Sequence, residues 1–481
     1  MKLFNPLLIL KILSIILLIE TVAFISCVPV AYFYKESLSP FLFSAAITFL
    51  LSTLFSILSG KAEKDKFYSR DGYLVVTFAW FFFLSLGTLP FLFSGVTSSF
   101  VDAFFESCSG FTTTGSTIFP DVESLPYSIL FWRSFTHWIG GFGIIVLIVI
   151  ILPSLRITGY QLFSLESSLK EKIHPKTKAI AYRLLIIYSG LTIAQVILLS
   201  LGDMNLFESI CHSFGTIATG GFSTKNSSLI NYSSYSQYIV MIFMFLAGIS
   251  MVVYYYIAKL NFTTVKNNEE LWFYVTTLII AGTIITSIIL TESTRSLEPA
   301  FREGFFNVIS IITTTGYSNA DYLLWSGPAL MLIFLLQFTG ASTGSTSGSI
   351  KIARHVIVIK SINVAFIKLI HPNAVPNIRF NGKIVPEKTS ISIMSFIIIY
   401  LFIFLAGTVI VVITGLDVVT ASSSVAASLG NIGPGLGTVG PMSNYSHLPG
   451  ITKIVLSILM IAGRVEIIAI LSLFTRSFWK L

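Results

Sequence analysis

The sequence predicts an all-α polytopic membrane protein, with ten full transmembrane helices and four shorter, re-entrant half-helices. Three observations lead there. Only 11% of the residues are charged and 54% are hydrophobic, whereas a soluble domain carries roughly a quarter charged residues. The mean hydropathy is +0.85. The apolar residues also fall into long and short runs in a fixed order, long, short, long, and that order occurs four times.

The long runs come first in the argument, because a helix needs about 20 apolar residues to cross the hydrocarbon core. Such runs lie at 6–34, 40–59, 72–94, 127–152, 181–201, 234–259, 270–291, 325–360, 389–415 and 450–476, the eighth of them overlong and interrupted. Lys2 ahead of an apolar core resembles a secretory leader. The run to Tyr34 is too long for one and another span follows at once, so it reads as a retained helix. The short runs lie at 100–114, 204–219, 299–315 and 417–432, each between two spans, the first three ending in Thr and the fourth in Asn431-Ile432. An internal repeat of this kind sets the architecture. It divides the chain into two extra N-terminal helices, 1–59, and four units at 72–152, 181–260, 270–360 and 389–478, the third with a broken last helix.

The net charge of +8 sits in short clusters between apolar runs, which points away from nucleic acid and toward the loops of a membrane protein. Lys61, Lys64, Lys66 and Arg70 form one cluster, and Arg156, Lys170, Lys172, Lys176, Lys178 and Arg183 a second. Lys351, Arg354, Lys360, Lys368, Arg379, Lys383 and Lys388 form the third, whereas the opposite loops carry Lys35, Lys225, Arg295 and Arg302. The positive-inside rule therefore expects both termini in the cytoplasm and all four half-helices on the outer side. Cys27, Cys108 and Cys211 are odd in number and far apart, which suits packing rather than a disulfide or zinc framework.

The half-helices end alike. Aligned on a terminal glycine they read Thr112-Thr113-Thr114-Gly115-Ser116, Ile217-Ala218-Thr219-Gly220-Gly221, Thr313-Thr314-Thr315-Gly316-Tyr317 and Gly430-Asn431-Ile432-Gly433-Pro434. A dehydrated monovalent cation needs a ring of oxygens, which backbone carbonyls supply. Glycine lets successive carbonyls aim at one axis, and each half-helix points its negative C-terminal end at the ion. One such ending is usually a helix cap; four at matching positions imply a pore. Asp102, Glu106, Asp121, Glu123, Asp203, Glu208, Glu298, Glu303, Asp321 and Asp417 fall on or near the outer face, where acids raise local cation concentration or simply face water.

The stretches 102–117, 214–224, 301–318 and 428–435 resemble the four filter repeats of the TrkH, KtrB and plant HKT superfamily, and the two extra N-terminal spans match TrkH rather than the shorter KtrB. The resemblance spans essentially the whole chain. It implies four pseudo-equivalent units around one potassium pore, with Thr113, Thr114, Gly115, Ala218, Thr219, Gly220, Thr314, Thr315, Gly316, Asn431, Ile432 and Gly433 as ion-binding positions. Some plant members carry Ser at the first filter glycine and prefer sodium; glycine at all four favours potassium. The fourth repeat departs most, with Asn431-Ile432 in place of Thr-Thr. The family further implies a homodimer, in the bacterial cytoplasmic (inner) membrane, with a cytosolic ring of TrkA-type nucleotide-binding subunits. The basic loops 153–183 and 351–388 are candidate docking surfaces or ordinary positive-inside loops.

Two features suggest a gate. Residues 339–349 of the eighth span are all Gly, Ala, Ser or Thr. Such a stretch disfavours helix, and irregular backbone at membrane depth has to line a cavity. The resemblance makes this stretch, with Gly340, Gly344, Ser345 and Gly348, an intramembrane gating loop below the third filter repeat. Arg464 stands midway along the last span, where an arginine is costly without a polar cavity or partner. The family places it at the pore as an electrostatic barrier; a structural ion pair is the alternative.

Other signals fall away. The glycines of 435–440 match a dinucleotide fingerprint but open no βαβ unit. His137, His174, His212, His355, His371 and His447 have no metal-ligand spacing. The expected function is gated potassium uptake without catalysis, with no cofactor bound by this chain. The alternative is a potassium symporter coupled to protons or sodium, for which Glu20 and Glu466 are the in-span candidates. A membrane enzyme acting on lipid-linked substrates needs interfacial acids or histidines, whereas the acids here mostly ring the presumed pore entry.

Overall fold

The structure, a computed structural model, describes residues 4–60, 69–146, 177–465, 473 and 475–479. Lys61, Lys64, Lys66, Arg156, Lys170, Lys172, Lys176, His174 and Glu466 lie outside them, as do the ends of the runs at 127–152 and 450–476.

Two N-terminal helices form a hairpin. Helix α1 (Pro6–Phe33) starts at Asn5, whose side-chain oxygen accepts the Leu8 N–H at 3.3 Å, with Pro6 in the first helical position. That pairing of a polar cap with proline is a strong helix start. Helix α2 (Ser39–Leu58) packs along α1. Between apolar flanks, hydroxyls join the pair: Thr21 donates to Thr48 at 2.8 Å and Ser52 to the Ser14 carbonyl at 2.7 Å.

Four units follow. The first comprises α3 (Ser69–Leu86), α4 (Leu89–Phe93), the short α5 (Phe100–Phe111) and α6 (Tyr127–Val146). The second has α7 (Thr177–Ser200), short α8 (Leu206–Ile217), α9 (Ser234–Ala247), α10 (Met251–Ala258) and α11 (Phe262–Lys266). The third has α12 (Glu269–Glu292), short α13 (Leu297–Ile312), α14 (Gly327–Leu336) and α15 (Ile352–Ile370). A two-stranded antiparallel ribbon, β1 (Arg379–Phe380) and β2 (Lys383–Ile384), leads to the fourth unit. That unit has α16 (Glu387–Ile413), short α17 (Val418–Gly430) and α18 (Gly450–Arg464), with α19 (Arg476–Trp479) near the C-terminus.

Six stretches among the described residues are long and apolar enough to cross a membrane singly: Pro6–Phe33, Ser39–Leu58, Arg70–Phe93, Tyr182–Ser200, Glu269–Glu292 and Glu387–Ile413. The run at 234–259, expected as one full span, is bent by 92° between α9 and α10. The cause is local. At Gly248 the chain passes under the Tyr274 ring and Thr313, leaving no room for a side chain, and Ser250 caps α10 by accepting the Val252 N–H. Gly/Ser steps are common kink sites. The interruption in the eighth run is where the sequence put it, with α14 and α15 separated by an irregular loop.

Buried residues of α9 and α12–α15 build one core, including Phe306, Ile312, Tyr317 and Ile333. A second joins α1 and α2 to α5, α6 and α16–α18 through Phe24, Trp132, Phe105 and Tyr400. The N-terminal hairpin is also tied down electrostatically. Glu36 accepts the Tyr127 and Ser128 N–H groups at 2.7 and 2.9 Å, so its carboxylate caps α6 from outside the unit. Glu36→Ala is expected to lower stability by about 1–2 kcal/mol, the usual cost of a lost helix cap, read as a lower melting temperature in detergent; an unchanged midpoint would show the hairpin to be held by packing alone.

Candidate functional site

All four short helices end in the same hydrogen-bond pattern. In the first, the Thr113 N–H donates to the Gly110 carbonyl at 3.0 Å and the Thr114 N–H to Ser109 at 2.8 Å. Thr219 and Gly220 do the same to Thr216 and Gly215, Thr314 and Thr315 to Ile311 and Ser310, and Asn431 and Ile432 to Ser428 and Ala427. This is the Schellman ending, which demands a left-handed residue, usually glycine. Here that residue is Thr113, Thr219, Thr314 or Asn431, with φ of 52°, 55°, 57° and 54°. A β-branched residue in this region is a genuine outlier. Only the fourth repeat uses Asn, which tolerates the conformation better.

Two residues on, each chain turns left-handed again at a glycine: Gly115, Gly221, Gly316 and Gly433, with φ of 85°, 80°, 81° and 103°. Backbone equivalence therefore corrects the second repeat by one position. Gly221, not Gly220, matches the other three glycines, so Ala218-Thr219-Gly220 shifts to Thr219-Gly220-Gly221. The sequence offers two adjacent glycines, and alignment on the terminal glycine does not choose between them. The signal lay downstream, where Gly221-Phe222-Ser223 parallels Gly316-Tyr317-Ser318. Gly220 is small for a different reason: the His137 ring, stacked on Phe222 at 4.2 Å, fills the space a side chain would need.

The four glycines close a ring. A Cβ on Gly115 would strike the Gly220 carbonyl oxygen, one on Gly221 that of Thr315, one on Gly316 that of Ile432, and one on Gly433 that of Thr114. Each repeat thus lays a backbone carbonyl against the glycine of the repeat before it, and the fourth returns to the first.

Behind the ring, each ascending segment is tied down by different chemistry. Buried Glu106 accepts the Ile118 N–H at 2.9 Å and pairs with Arg133 at 2.7 Å. Arg133 also reaches Thr117 Oγ1 at 3.2 Å and the Ser223 carbonyl at 3.3 Å, and lies 4.1 Å over the Phe222 ring, joining repeats one and two. In the second repeat His212 Nε2 meets Ser223 Oγ at 3.0 Å. In the third, Asn307 donates to Asn319 at 3.0 Å. In the fourth, Ser423 Oγ accepts the Leu436 N–H at 2.8 Å.

The loop between α14 and α15 lies beneath the half-helix ends. Its base is zipped by Gly340 N–H to Ile350 and Ile352 N–H to Ala341, at 2.8 and 3.2 Å. One arm enters the α9/α10 break, with the Ser342 N–H on the Gly248 carbonyl and the Met251 N–H on that of Gly344. The other arm touches three repeats. Thr346 Oγ1 donates to the Ile217 carbonyl at 3.0 Å and the Gly348 N–H to Thr314 Oγ1 at 2.6 Å, while a Cβ on Gly348 would meet the Gly430 carbonyl. Ser345 Oγ donates back to Ser342 within the loop. Arg464, 3% exposed, donates to the Thr346 carbonyl at 2.7 Å and to that of Gly140, from the first unit, at 3.5 Å. Its hydrogen bonds among the described residues go to carbonyls, not to an acid.

A sequence profile of the TrkH family, described as cation transport proteins, matches residues 39–480. The chain belongs to the TrkH family. The crystal structure of the potassium transporter TrkH from Vibrio parahaemolyticus superposes with a TM-score of 0.89 at 31% identity, covering 98% of this chain and 99% of that one. The Trk system potassium uptake protein TrkH of Halomonas elongata is 33% identical over 482 residues, 98% of this chain and 99% of the relative. Its Escherichia coli counterpart is 35% identical over 429 residues, 87% and 88% of the two chains. Membership makes the chain a multi-pass transport protein rather than an enzyme.

Most of the acids expected near the pore entry are engaged locally in this TrkH-family chain. Asp417 and Glu208 cap half-helices, Asp102 pairs with Lys453 at 2.7 Å, and Glu298 and Glu303 pair with Arg302 and Arg295. Among the described residues the Glu106–Arg133 pair is the ion pair at this face with both side chains buried, and sequence spacing gives no sign of it because its members lie on different helices. Arg133→Leu leaves Glu106 buried without its cation and should cost about 3–5 kcal/mol. Adding Glu106→Leu should recover part of that loss, as measured by thermal unfolding of both variants; equal instability of single and double variants would show that the pair is not the determinant.

Proposed function

We propose that the chain conducts potassium inward across the bacterial cytoplasmic membrane, through a filter of backbone carbonyls supplied by four re-entrant repeats. The observation that carries this reading is the closed ring of four left-handed glycines, each against a neighbour's carbonyl. Backbone oxygens at Thr113, Thr114 and Gly115, Thr219, Gly220 and Gly221, Thr314, Thr315 and Gly316, and Asn431, Ile432 and Gly433 replace the ion's hydration shell. Half-helix C-termini add negative potential there. The names and functions of relatives in other bacteria support potassium as the ion.

Loop 340–349 is the gate in this reading, with Arg464 as its electrostatic part. A guanidinium in a narrow low-dielectric passage repels a cation strongly, and here it also holds the loop through Thr346. Both effects close the path. Opening falls to a cytosolic TrkA-type nucleotide-binding ring acting on a homodimer. Of the two candidate docking regions, 351–388 is described, with Lys360 and Lys368 on α15 and Lys360 donating to the Arg379 carbonyl of the β1–β2 ribbon; most of 153–183 lies outside the described residues. Ion-coupled symport is the competing mechanism. Its candidate Glu20 is buried on α1 with no hydrogen bond to either oxygen among the described residues, outside the four repeats.

Purified protein in liposomes tests the reading: potassium flux should follow the potassium gradient alone, and dependence on a proton or sodium gradient would replace it with symport. Gly115→Ser adds a side chain against the Gly220 carbonyl and should lower potassium preference over sodium in a folded protein; an unaltered permeability ratio would remove this glycine from the filter. Arg464→Ala should raise flux by roughly tenfold, the effect of about 1.4 kcal/mol on a barrier, with little change in melting temperature. Lower flux with lower stability would instead make it a structural residue. Shortening Gly344–Gly348 should act in the same direction as Arg464→Ala, and abolished flux in a folded protein would make the loop part of the conduction path.

A further inference from the structure

The loop beneath the ring has a fixed arm, and besides the backbone bonds in the α9/α10 break a carboxylate from another helix holds it. Glu270, in the first turn of α12, is fully buried. One of its oxygens, Oε1, accepts two backbone N–H groups, Thr343 at 2.6 Å and Ala353 at 3.1 Å. Thr343 lies in the arm entering the loop; Ala353 is in the first turn of α15, which leaves it. The segment between them carries Thr346 and Gly348, the residues that reach the half-helix ends.

The placement is specific. Two donors on one oxygen hold the entry and exit of the detour side by side, adding to the backbone bonds at its base, and the intervening residues form the hairpin. Removing the shared acceptor leaves two buried N–H groups without a partner, which is costly. The same turn of α12 faces the neighbouring helix and the ribbon. Glu269 pairs with Lys360 of α15, its N–H donates to Asn381 Oδ1 at 2.8 Å, and Lys360 also donates to the Arg379 carbonyl at 2.7 Å. The start of α12 is therefore where the loop, α15 and the β1–β2 ribbon meet.

We propose that Glu270 is a positioning residue of the gate: its carboxylate anchors both ends of loop 340–349 to α12 and keeps the hairpin across the pathway. Displacing α15 or the ribbon relative to α12 pulls on that anchor. The inference rests on the reading of the loop as the gate. A carboxylate that only caps α15 would, when removed, cost stability without freeing the pathway.

The experiment measures potassium flux per folded molecule and melting temperature, in liposomes containing the full chain alone. Glu270→Ala is expected to raise flux several-fold. Glu270→Gln keeps an oxygen able to accept both N–H groups and should bring flux back toward that of the unaltered chain, a rescue that a role in stability alone does not produce. Ala353→Pro removes one of the two donors in the first turn of a helix, where proline is tolerated, and should raise flux by less; it carries the test if Glu270→Ala does not fold. Flux at or below the unaltered level in both Glu270→Ala and Ala353→Pro, while Arg464→Ala raises it, overturns the role of Glu270 and leaves the gate standing. If Arg464→Ala, the shortened loop and both anchor variants all leave flux unaltered, the gate reading falls and this inference with it.

Discussion

The structure depends on one steric constraint: the backbone carbonyl of each repeat occupies the place where the preceding repeat's glycine would carry a side chain. Everything around the axis serves that approach. The Schellman endings turn each chain into it, at the expense of three left-handed threonines. Strained backbone persists only where its surroundings over-determine it. Here they do: Thr112 and Thr114 share a hydrogen bond, as do Thr313 and Thr315, both at 2.8 Å, and the Gly348 N–H donates to Thr314 Oγ1.

Because one chain supplies all four sectors, nothing requires them to be alike. A glutamate–arginine pair, a histidine, an asparagine and a serine perform the same restraint behind successive ring positions. Arg133 links the first sector to the second, and Tyr317 the third to the second through the Phe222 carbonyl at 2.9 Å. Asn431 reaches both Thr114 and the Met460 carbonyl. A repeat that departs from the pattern in sequence, as the fourth does, still reproduces its backbone.

Composition and run length made the helical, membrane-spanning class legible, and the repeated short run with its Thr-Gly ending revealed the half-helices. Three features escaped for physical reasons. The Gly220–Gly221 doublet hid the register because one glycine answers to backbone conformation and the other to the His137 ring. The break at Gly248–Ser250 sits inside an unbroken apolar run, and its backbone is satisfied partly by the loop docking into it, 94 residues onward at Ser342, and partly by the Tyr254 and Tyr274 hydroxyls. Glu270 follows Glu269 at a helix start, where acids are ordinary, so nothing local marks the two distant N–H groups it receives. Each depends on a contact far away in the chain, which periodicity and composition do not encode. Arg464 is the opposite case: its cost in a span singles it out from sequence alone, and its partners are the carbonyls of Thr346 and Gly140.

The ring closes between its first and last members. Gly433 lies against the Thr114 carbonyl, Ser116 Oγ donates to the Gly433 carbonyl at 3.0 Å, and the Tyr445 N–H reaches the Thr117 carbonyl at 2.8 Å. Ser116 and Gly433 are 317 positions apart, so these contacts wait for the fourth repeat. Until then the earlier repeats form an open arc, whose polar backbone has no fourth wall to enclose it. A chain that has made only its first three repeats therefore lacks the carbonyl that faces Gly316 and the glycine that faces the Thr114 carbonyl.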